Sequence, residues 1–224
     1  MESMELFHMF VILRSNMGTD NLFHKNKVKL ERKLANRSAK QRILIVCEGK
    51  KTEPNYFKAF PVTSAEVKVL GEGFNTKALV SYTKEISEQA ELEKLPYDQV
   101  WCVFDHDPGV FTKEQFNTAI QMAKSHGFKV AYSNEAFELW YILHFEYLHS
   151  GINRDQYIKK LTEHLKKPYK KNSTEMYDIL LSKQGVAIKY AKKLMTVHTD
   201  SMPADSNPST TVYELVVALN ILIK

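Results

Sequence analysis

The chain is poor in cysteine and has none of the patterns in which cysteines build a scaffold. Only Cys47 and Cys102 occur among 224 residues, and each lies inside an apolar run. Two cysteines make no disulfide framework, and their spacing does not suit zinc. Free cysteine in such a run behaves as a small hydrophobic residue. We therefore expect a reducing compartment and a cytoplasmic protein.

Long hydrophobic segments are also missing. The apolar stretch at residues 6–13 follows acidic rather than basic residues and is too short to span a bilayer. We expect no signal peptide, no transmembrane helix and no membrane partner. A P-loop is missing as well, because residues 71–74 (GEGF) lack the Lys-Ser/Thr ending.

Positive charge is present in modest excess. The formal net charge is +5, which favours a nucleic-acid partner without being sufficient evidence for one. Residues 25–42 (KNKVKLERKLANRSAKQR) are dense in lysine and arginine, and are either a solvated segment or a basic arm for a phosphate backbone. We expect residues 1–42 to form an N-terminal arm. Residues 1–16 precede a second plausible start at Met17, are either an extension or part of that arm, and carry no functional prediction.

Short apolar runs rich in β-branched residues are typical of buried strands in parallel sheets. Helical patterns separate these runs: the first begins near Thr52, which we expect to cap it, and the last is ended by Gly127. The alternation predicts an α/β domain over residues 43–134, with a mostly parallel sheet and helices on both faces. The predicted strands are 43–47, 67–71, 100–104 and 128–132, and the later helices 75–92 and 112–126.

Residues 135–224 predict a helical C-terminal region packed against that domain. The segment 135–148 (EAFELWYILHFEYL) is apolar with helical spacing. Its aromatic face is either core or a base-stacking platform, and core is the stronger interpretation; the face comprises Phe137, Trp140, Tyr141 and His144. We expect Ser209 to be the N-cap of a final helix whose inward side chains are Val212, Leu215, Val216 and Leu219.

Two of the predicted strands end in acidic residues. Glu48 follows the first strand, and Asp105 and Asp107 follow the third. Ligands of open α/β sheets bind outside the carboxyl ends of the strands, so we expect these carboxylates to converge. Converging acids repel one another unless a cation lies between them, and Mg²⁺ takes one or two carboxylates alongside substrate phosphates. The pattern predicts a site for Mg²⁺, or Mn²⁺ in its place, from which His106 points away.

The order of these acids resembles the Toprim pattern of topoisomerases, primases and OLD-type nucleases. The blocks CEGKKTEPNYF, VFDHD, SNEAFELWYILHF and NPSTTVYELV, in this order, resemble the signatures of RloB-like proteins, a family linked to bacterial defence loci. One departure is Glu135, which stands where the pattern has a proline. The resemblance implies a Toprim-like fold and metal-dependent phosphodiester chemistry. It implies Asp105 and Asp107 as Mg²⁺ ligands, and Glu48 as an acid/base group or a further ligand.

Several neighbouring residues are candidates for the same site. Glu53 either faces the cavity or places charge in the first turn of a helix. Lys50 and Lys51 either hold a substrate phosphate or belong to a solvated loop. Glu138 is an acid in an apolar helix, and if buried it needs a partner: a lysine, His144 or the metal site.

A basic loop lies between two predicted helices of the C-terminal region. Residues 165–173 (LKKPYKKNS) include Lys170 and Lys171 beside Tyr169. The loop is either solvated or a contact for a nucleic-acid backbone, with Tyr169 stacking one base.

The paired acids at the strand ends favour a Mg²⁺-dependent nuclease. The resemblance to RloB-like proteins implies a setting in phage defence, with RNA, including tRNA, or DNA as the target. The alternative is a Toprim-like binding or regulatory module without turnover, joined to a partner protein of a defence assembly. A phosphotransfer enzyme for small molecules ranks last, because the P-loop is missing.

Overall fold

The computed structural model describes residues 40–110 and 112–223, and the chain from Lys40 onward forms one compact unit. The prediction of an N-terminal arm at residues 1–42 falls almost wholly on residues 1–39, which lie outside the described residues. No helix among the described residues is both long and apolar enough to cross a membrane.

A five-stranded sheet in the order β2-β1-β3-β4-β5 forms the centre of the unit. The first four strands are parallel, as predicted, and the short β5 pairs antiparallel with β4. The strands are β1 (Gln41–Cys47), β2 (Ala65–Gly71), β3 (Gln99–His106), β4 (Lys129–Asn134) and β5 (Ser209–Thr210).

Helices cover both faces of the sheet, which confirms the α/β prediction. One face packs on α2 and α3, where Leu44 and Val46 of β1 meet Leu79 and Phe116. The other packs on α1 and the C-terminal helices, where Ile43 and Ile45 share a core with residues of those helices. The helices are α1 (Thr52–Lys58), α2 (Thr76–Leu92), α3 (Lys113–Ser125), α4 (Glu138–Ile142), α5 (Arg154–Leu165), α6 (Met176–Leu181), α7 (Gln184–Val197) and α8 (Val212–Asn220).

The C-terminal region differs from the prediction in two places. The long helix expected over 135–148 is shortened to α4, which ends at Ile142. Ser209 does not cap a helix: it lies in β5, pairs with Asn134 of β4 and is fully buried. The helix begins at Val212 instead, and its four predicted inward residues are all buried.

Thr52 is not the cap that the sequence suggested. It is the first residue of α1, and its hydroxyl donates a hydrogen bond to the carbonyl oxygen of Lys171, 2.8 Å away. The side chain therefore joins α1 to the basic loop before α6 rather than closing the helix end.

Candidate active site

The strand order reverses at β1, because β2 lies on one side of it and β3 on the other. Such a switch point, at the carboxyl ends of parallel strands, is where open α/β sheets bind ligands. A cavity of about 570 Å³ lies there. Its acidic lining consists of Glu48, Glu53, Asp105, Asp107 and Glu138, and its basic lining of Lys50, Lys51, Arg154 and Lys171.

Two groups hold the Glu48 carboxylate in place, one from the start of α2 and one from β3. The hydroxyl of Thr76, at the start of α2, donates to Glu48 Oε1 over 3.2 Å, and the backbone N–H of Asp105 donates to Oε2 over 3.3 Å. The pKa of Glu48 is raised, chiefly by burial and also by the charge of Asp107. The two hydrogen bonds and Arg154 act in the opposite direction and offset part of this shift. The first predicted acid is thus adjacent to the second.

Asp105 is still within β3 and points towards the C-terminal helices. It is 8% exposed, and its Oδ2 accepts a hydrogen bond from the backbone N–H of Phe137 at 3.0 Å. Burial, followed by the charge of Glu53, raises the pKa of Asp105 well above its usual value. His106 is also buried and points to the opposite face, where its Nδ1 lies 3.2 Å from Asn134 Oδ1. This alternation is the expected one for neighbouring strand residues.

Asp107 lies just beyond the strand and is held by a turn and a cation. Its Oδ1 accepts a hydrogen bond from the backbone N–H of Gly109 at 3.0 Å. Its Oδ2 lies 3.2 Å from a guanidinium nitrogen of Arg154. The two aspartates of the Asp-x-Asp motif therefore line one cavity with different partners.

Glu53 lies in the first turn of α1 with its carboxylate against the backbone of Gly49. A Cβ at Gly49 would lie 2.1 Å from Glu53 Oε2, so any other residue at this position would require the Glu53 carboxylate to move. The Glu53 side chain is buried, and this burial, with the charges of Glu138 and Glu48, raises its pKa to about 7. Both interpretations of Glu53 hold at once: it begins a helix and faces the cavity.

Glu138 has a partner that sequence reasoning did not name. The hydroxyl of Tyr169 donates to Glu138 Oε1 over 3.1 Å. Tyr169 is itself 8% exposed, so its ring belongs to the core. Of the two alternatives for the basic loop, a base stacked on Tyr169 is disfavoured, because the ring is packed and the hydroxyl is engaged.

The basic loop divides between two surfaces. Lys171 lines the acidic cavity. Two residues of α1 hold the loop backbone there. The Thr52 hydroxyl donates to the carbonyl oxygen of Lys171, and Asn55 Nδ2 donates to that of Asn172 at 3.2 Å. Lys170 does not line this cavity; it borders a separate one of about 430 Å³ with Asn172. Both lysines were predicted to bind substrate, and they line different cavities.

Arg154 was missed from the sequence. It is the first residue of α5, and Asn153 caps that helix through a capping box. Besides Asp107, its guanidinium approaches the carbonyl oxygen of Glu135 at 3.5 Å. Asn153 followed three residues later by Gln156 is a recognisable helix start, but no sequence pattern linked it to acids almost fifty residues earlier.

The donor set suits a hard divalent cation in its chemistry. Carboxylate oxygens are the ligands that Mg²⁺ prefers, and the raised pKa values of Glu48, Glu53 and Asp105 reflect burial and crowding that such a cation relieves. Among residues 40–110 and 112–223, however, no three Asp, Glu, His or Cys side chains are already arranged as a metal site. Asp107 pairs with Arg154 instead.

A family model described as RloB-like protein matches residues 43–219, a span that runs from β1 into α8. No curated protein and no solved structure matches the chain. Since the family match covers well over half of its length, the chain belongs to the RloB-like family.

Proposed function

We propose that this protein is a Toprim-like, Mg²⁺-dependent nuclease that hydrolyses phosphodiester bonds of RNA, including tRNA, or of DNA in phage defence. The observation that carries the proposal is the position of Glu48, Asp105 and Asp107 in one cavity at the switch point of the sheet. Basic side chains share that cavity, so it combines acids with phosphate-binding groups.

The metal would be held by Asp105, Asp107 and Glu48. When bound, Mg²⁺ supplies charge stabilisation for the scissile phosphate and activates water. Glu48 also has a carboxylate positioned to accept a proton, because Thr76 and the Asp105 backbone fix its orientation. Lys50, Lys51 and Lys171 would bind substrate phosphates from the cavity wall.

The test compares the wild type with Asp105→Asn, which keeps the oxygen that accepts from Phe137 but removes the charge. Plasmid DNA, single-stranded DNA and total tRNA are incubated with Mg²⁺, with Mn²⁺ or with EDTA. We expect cleavage that requires metal and falls on the order of 100-fold or more in Asp105→Asn, as when a group that stabilises transition-state charge is removed. Asp200→Asn, at an exposed position outside the cavity, is the control.

A second readout does not depend on turnover. Saturating Mg²⁺ at about ten times its Kd stabilises a folded protein by about 1.4 kcal/mol, which for a chain of this size raises Tm by roughly 3–5 °C. We expect this shift in the wild type and in Asp200→Asn but not in Asp105→Asn. Undiminished cleavage and an undiminished shift in Asp105→Asn would refute the assignment.

A binding or regulatory module is the second candidate, and the ion pair between Asp107 and Arg154 favours it. A carboxylate already neutralised by arginine leaves the cavity suited to an anionic ligand held by its basic side chains. Isothermal titration with nucleotides, with and without Mg²⁺, separates the two. Tight nucleotide binding without cleavage of any polymer selects the module.

A further inference from the structure

We propose that Phe74 and Val110 form a stacking subsite for an unpaired nucleobase at the mouth of the acidic cavity, so that the site prefers single-stranded nucleic acid. The inference rests on the proposed nuclease function and names the substrate class of the same site. Nothing in the family match assigns a role to either residue.

Phe74 is an exposed aromatic residue held in place at the edge of the cavity. It is 38% exposed and lines the same cavity as the acids. Its ring packs edge-on against Tyr82 of α2, with centroids 5.0 Å apart and an interplanar angle of 62°. Tyr82 therefore restrains the ring while more than a third of the residue's surface stays open, which suits stacking against a flat ligand.

The loop before Phe74 places a lysine beside Gly73, the residue that precedes Phe74. Gly73 has a φ of +70°, and a Cβ there would lie 2.3 Å from Lys50 Cε. The aliphatic part of Lys50 thus runs along Gly73, next to Phe74 in the chain. An ammonium group for the backbone beside an aromatic face for the base is the combination with which proteins hold single strands.

Val110 is the second apolar side chain of the proposed subsite. It is 64% exposed and lines the same cavity. Phe74 follows β2 and Val110 follows β3, and β1 with Glu48 lies between these strands. Neighbouring strands are about 4.8 Å apart, so the two loops leave the sheet about 10 Å apart. A base between two apolar surfaces needs a gap of about 7 Å, or two van der Waals contacts. The spacing of the two loops is therefore wide enough to admit one base.

The depth of the acids points the same way. Asp105 and Glu53 are only 8% and 6% exposed, whereas the two apolar side chains lie at the rim. A phosphodiester reaches such acids when its nucleotide has left a base stack, as in enzymes that act on extruded or single-stranded nucleotides. The base of that nucleotide, or of its neighbour, would then lie at the level of Phe74.

The experiment measures binding before cleavage. Fluorescence anisotropy in EDTA follows labelled single-stranded RNA, single-stranded DNA of the same base sequence and the matching duplex. The variants are Phe74→Ala, Phe74→Leu and Phe74→Trp, with Leu95→Ala as a control at an exposed apolar residue outside the cavity. We expect Ala and Leu to weaken single-strand binding about tenfold, Trp to preserve it, and duplex binding to stay unchanged. The RNA and DNA arms show which sugar the site accepts, and thermal melting checks that each variant is folded.

Binding by Phe74→Ala or Phe74→Leu equal to that of the wild type overturns the subsite, as does an equal loss for the duplex. Cleavage assays with Mg²⁺ or Mn²⁺ then separate the two proposals. If the wild type cleaves and Phe74→Ala cleaves equally well, the subsite fails and the nuclease stands. If Phe74 governs binding but nothing is cleaved, the nuclease fails and the subsite stands. A wild type that neither binds nor cleaves overturns both.

Discussion

Gly49 lies between Glu48 and the helix that carries Glu53, and it is in contact with the second of these acids. The nearest neighbours of a Cβ at this position would be the three terminal atoms of the Glu53 side chain, all within 2.7 Å. At the scale of single residues, therefore, the buried Glu53 carboxylate occupies space that a Cβ at residue 49 would fill. Gly73 is similar, because a Cβ there would lie in the space that the Lys50 side chain occupies.

We expect Gly49→Ala to displace Glu53 and to lower both stability and cleavage. Forcing a methyl group into a packed site costs about 1–3 kcal/mol. Gly185→Ala is the matched control, because Gly185 lies in α7 and a Cβ there meets nothing within 4 Å. That change should stabilise the protein by up to about 1 kcal/mol, since alanine favours a helix over glycine. The free energy of unfolding in urea and the cleavage rate of both variants are compared with those of the wild type. Equal values for Gly49→Ala and Gly185→Ala would show that the site at residue 49 accommodates a methyl group.

His144 makes the stability depend on pH. It is 2% exposed, and its Nδ1 lies 2.8 Å from the carbonyl oxygen of Trp140. Burial lowers the pKa of His144 from 6.5 to about 4. Below pH 6.5 the unfolded chain therefore binds a proton that the folded chain excludes, so this contribution to stability is complete above pH 6.5 and is lost as the pH falls towards 4.

The expected loss is roughly 3 kcal/mol across that window. Because the raised pKa of Glu53 changes stability in the opposite direction, the measurement is a difference between two proteins. Urea unfolding of the wild type and of His144→Gln is followed between pH 4 and pH 7. The wild type should lose stability relative to the variant as the pH falls; parallel curves would mean that the buried imidazole does not control this slope.

At the scale of elements, two helices begin with the same device but lead to different places. Thr112 with Gln115 caps α3, and Asn153 with Gln156 caps α5. Only the second helix carries a cavity residue at its start, Arg154, which pairs with Asp107. Comparing the two caps therefore distinguishes the effect of helix stability from the effect of positioning a site residue.

We expect Thr112→Ala and Asn153→Ala each to cost about 1 kcal/mol of unfolding free energy, the usual value for losing an N-cap. Only Asn153→Ala should also reduce cleavage, and mainly through KM, because it loosens the first turn that carries Arg154. Chemical denaturation and steady-state kinetics on the same preparations test this. Equal kinetic losses in the two variants would assign the effect to stability alone.

The elements that the sequence predicted best are those with local determinants. Short apolar runs and, for β2, an alternating pattern predicted the strands β1 to β4. Asn75 and Gly127 marked the helix ends where the structure has them. The errors arise where a distant partner decides. Thr52 bonds to Lys171 rather than to its own helix, and Ser209 pairs with Asn134 in the sheet. Local patterns carry no information about either partner.

The site was predictable to the same extent. The placement of Glu48, Asp105 and Asp107 at one edge follows from the rule that parallel strands end at one edge of the sheet. Arg154 and the buried position of Tyr169 depend on how the C-terminal helices pack on that sheet, which hydrophobic periodicity does not specify.

At the scale of the whole molecule, the α/β part and the C-terminal helices share one hydrophobic core. Ile43, Trp101 and Val103 of the sheet belong to the same cluster as Trp140 and Leu215. The cavity also draws on both parts, because Glu48 and Asp105 come from the α/β part and Glu138, Arg154 and Lys171 from the C-terminal region. The two segments that the sequence divides at residue 134 therefore contribute to one core cluster and one cavity.

This shared core predicts a single cooperative unfolding transition, which the two tryptophans can report. Trp101 lies in β3 and Trp140 in α4, and both are buried. Trp101→Phe leaves a probe in the C-terminal region, and Trp140→Phe leaves one in the sheet. In each variant, fluorescence and far-ultraviolet circular dichroism should give the same urea midpoint, as two-state unfolding requires. The contrary result is a fluorescence midpoint at lower urea in Trp101→Phe than in Trp140→Phe. It would show that the helices after residue 134 unfold before the sheet. The acids from β1 and β3 would then form a site that the sheet supports without the helices.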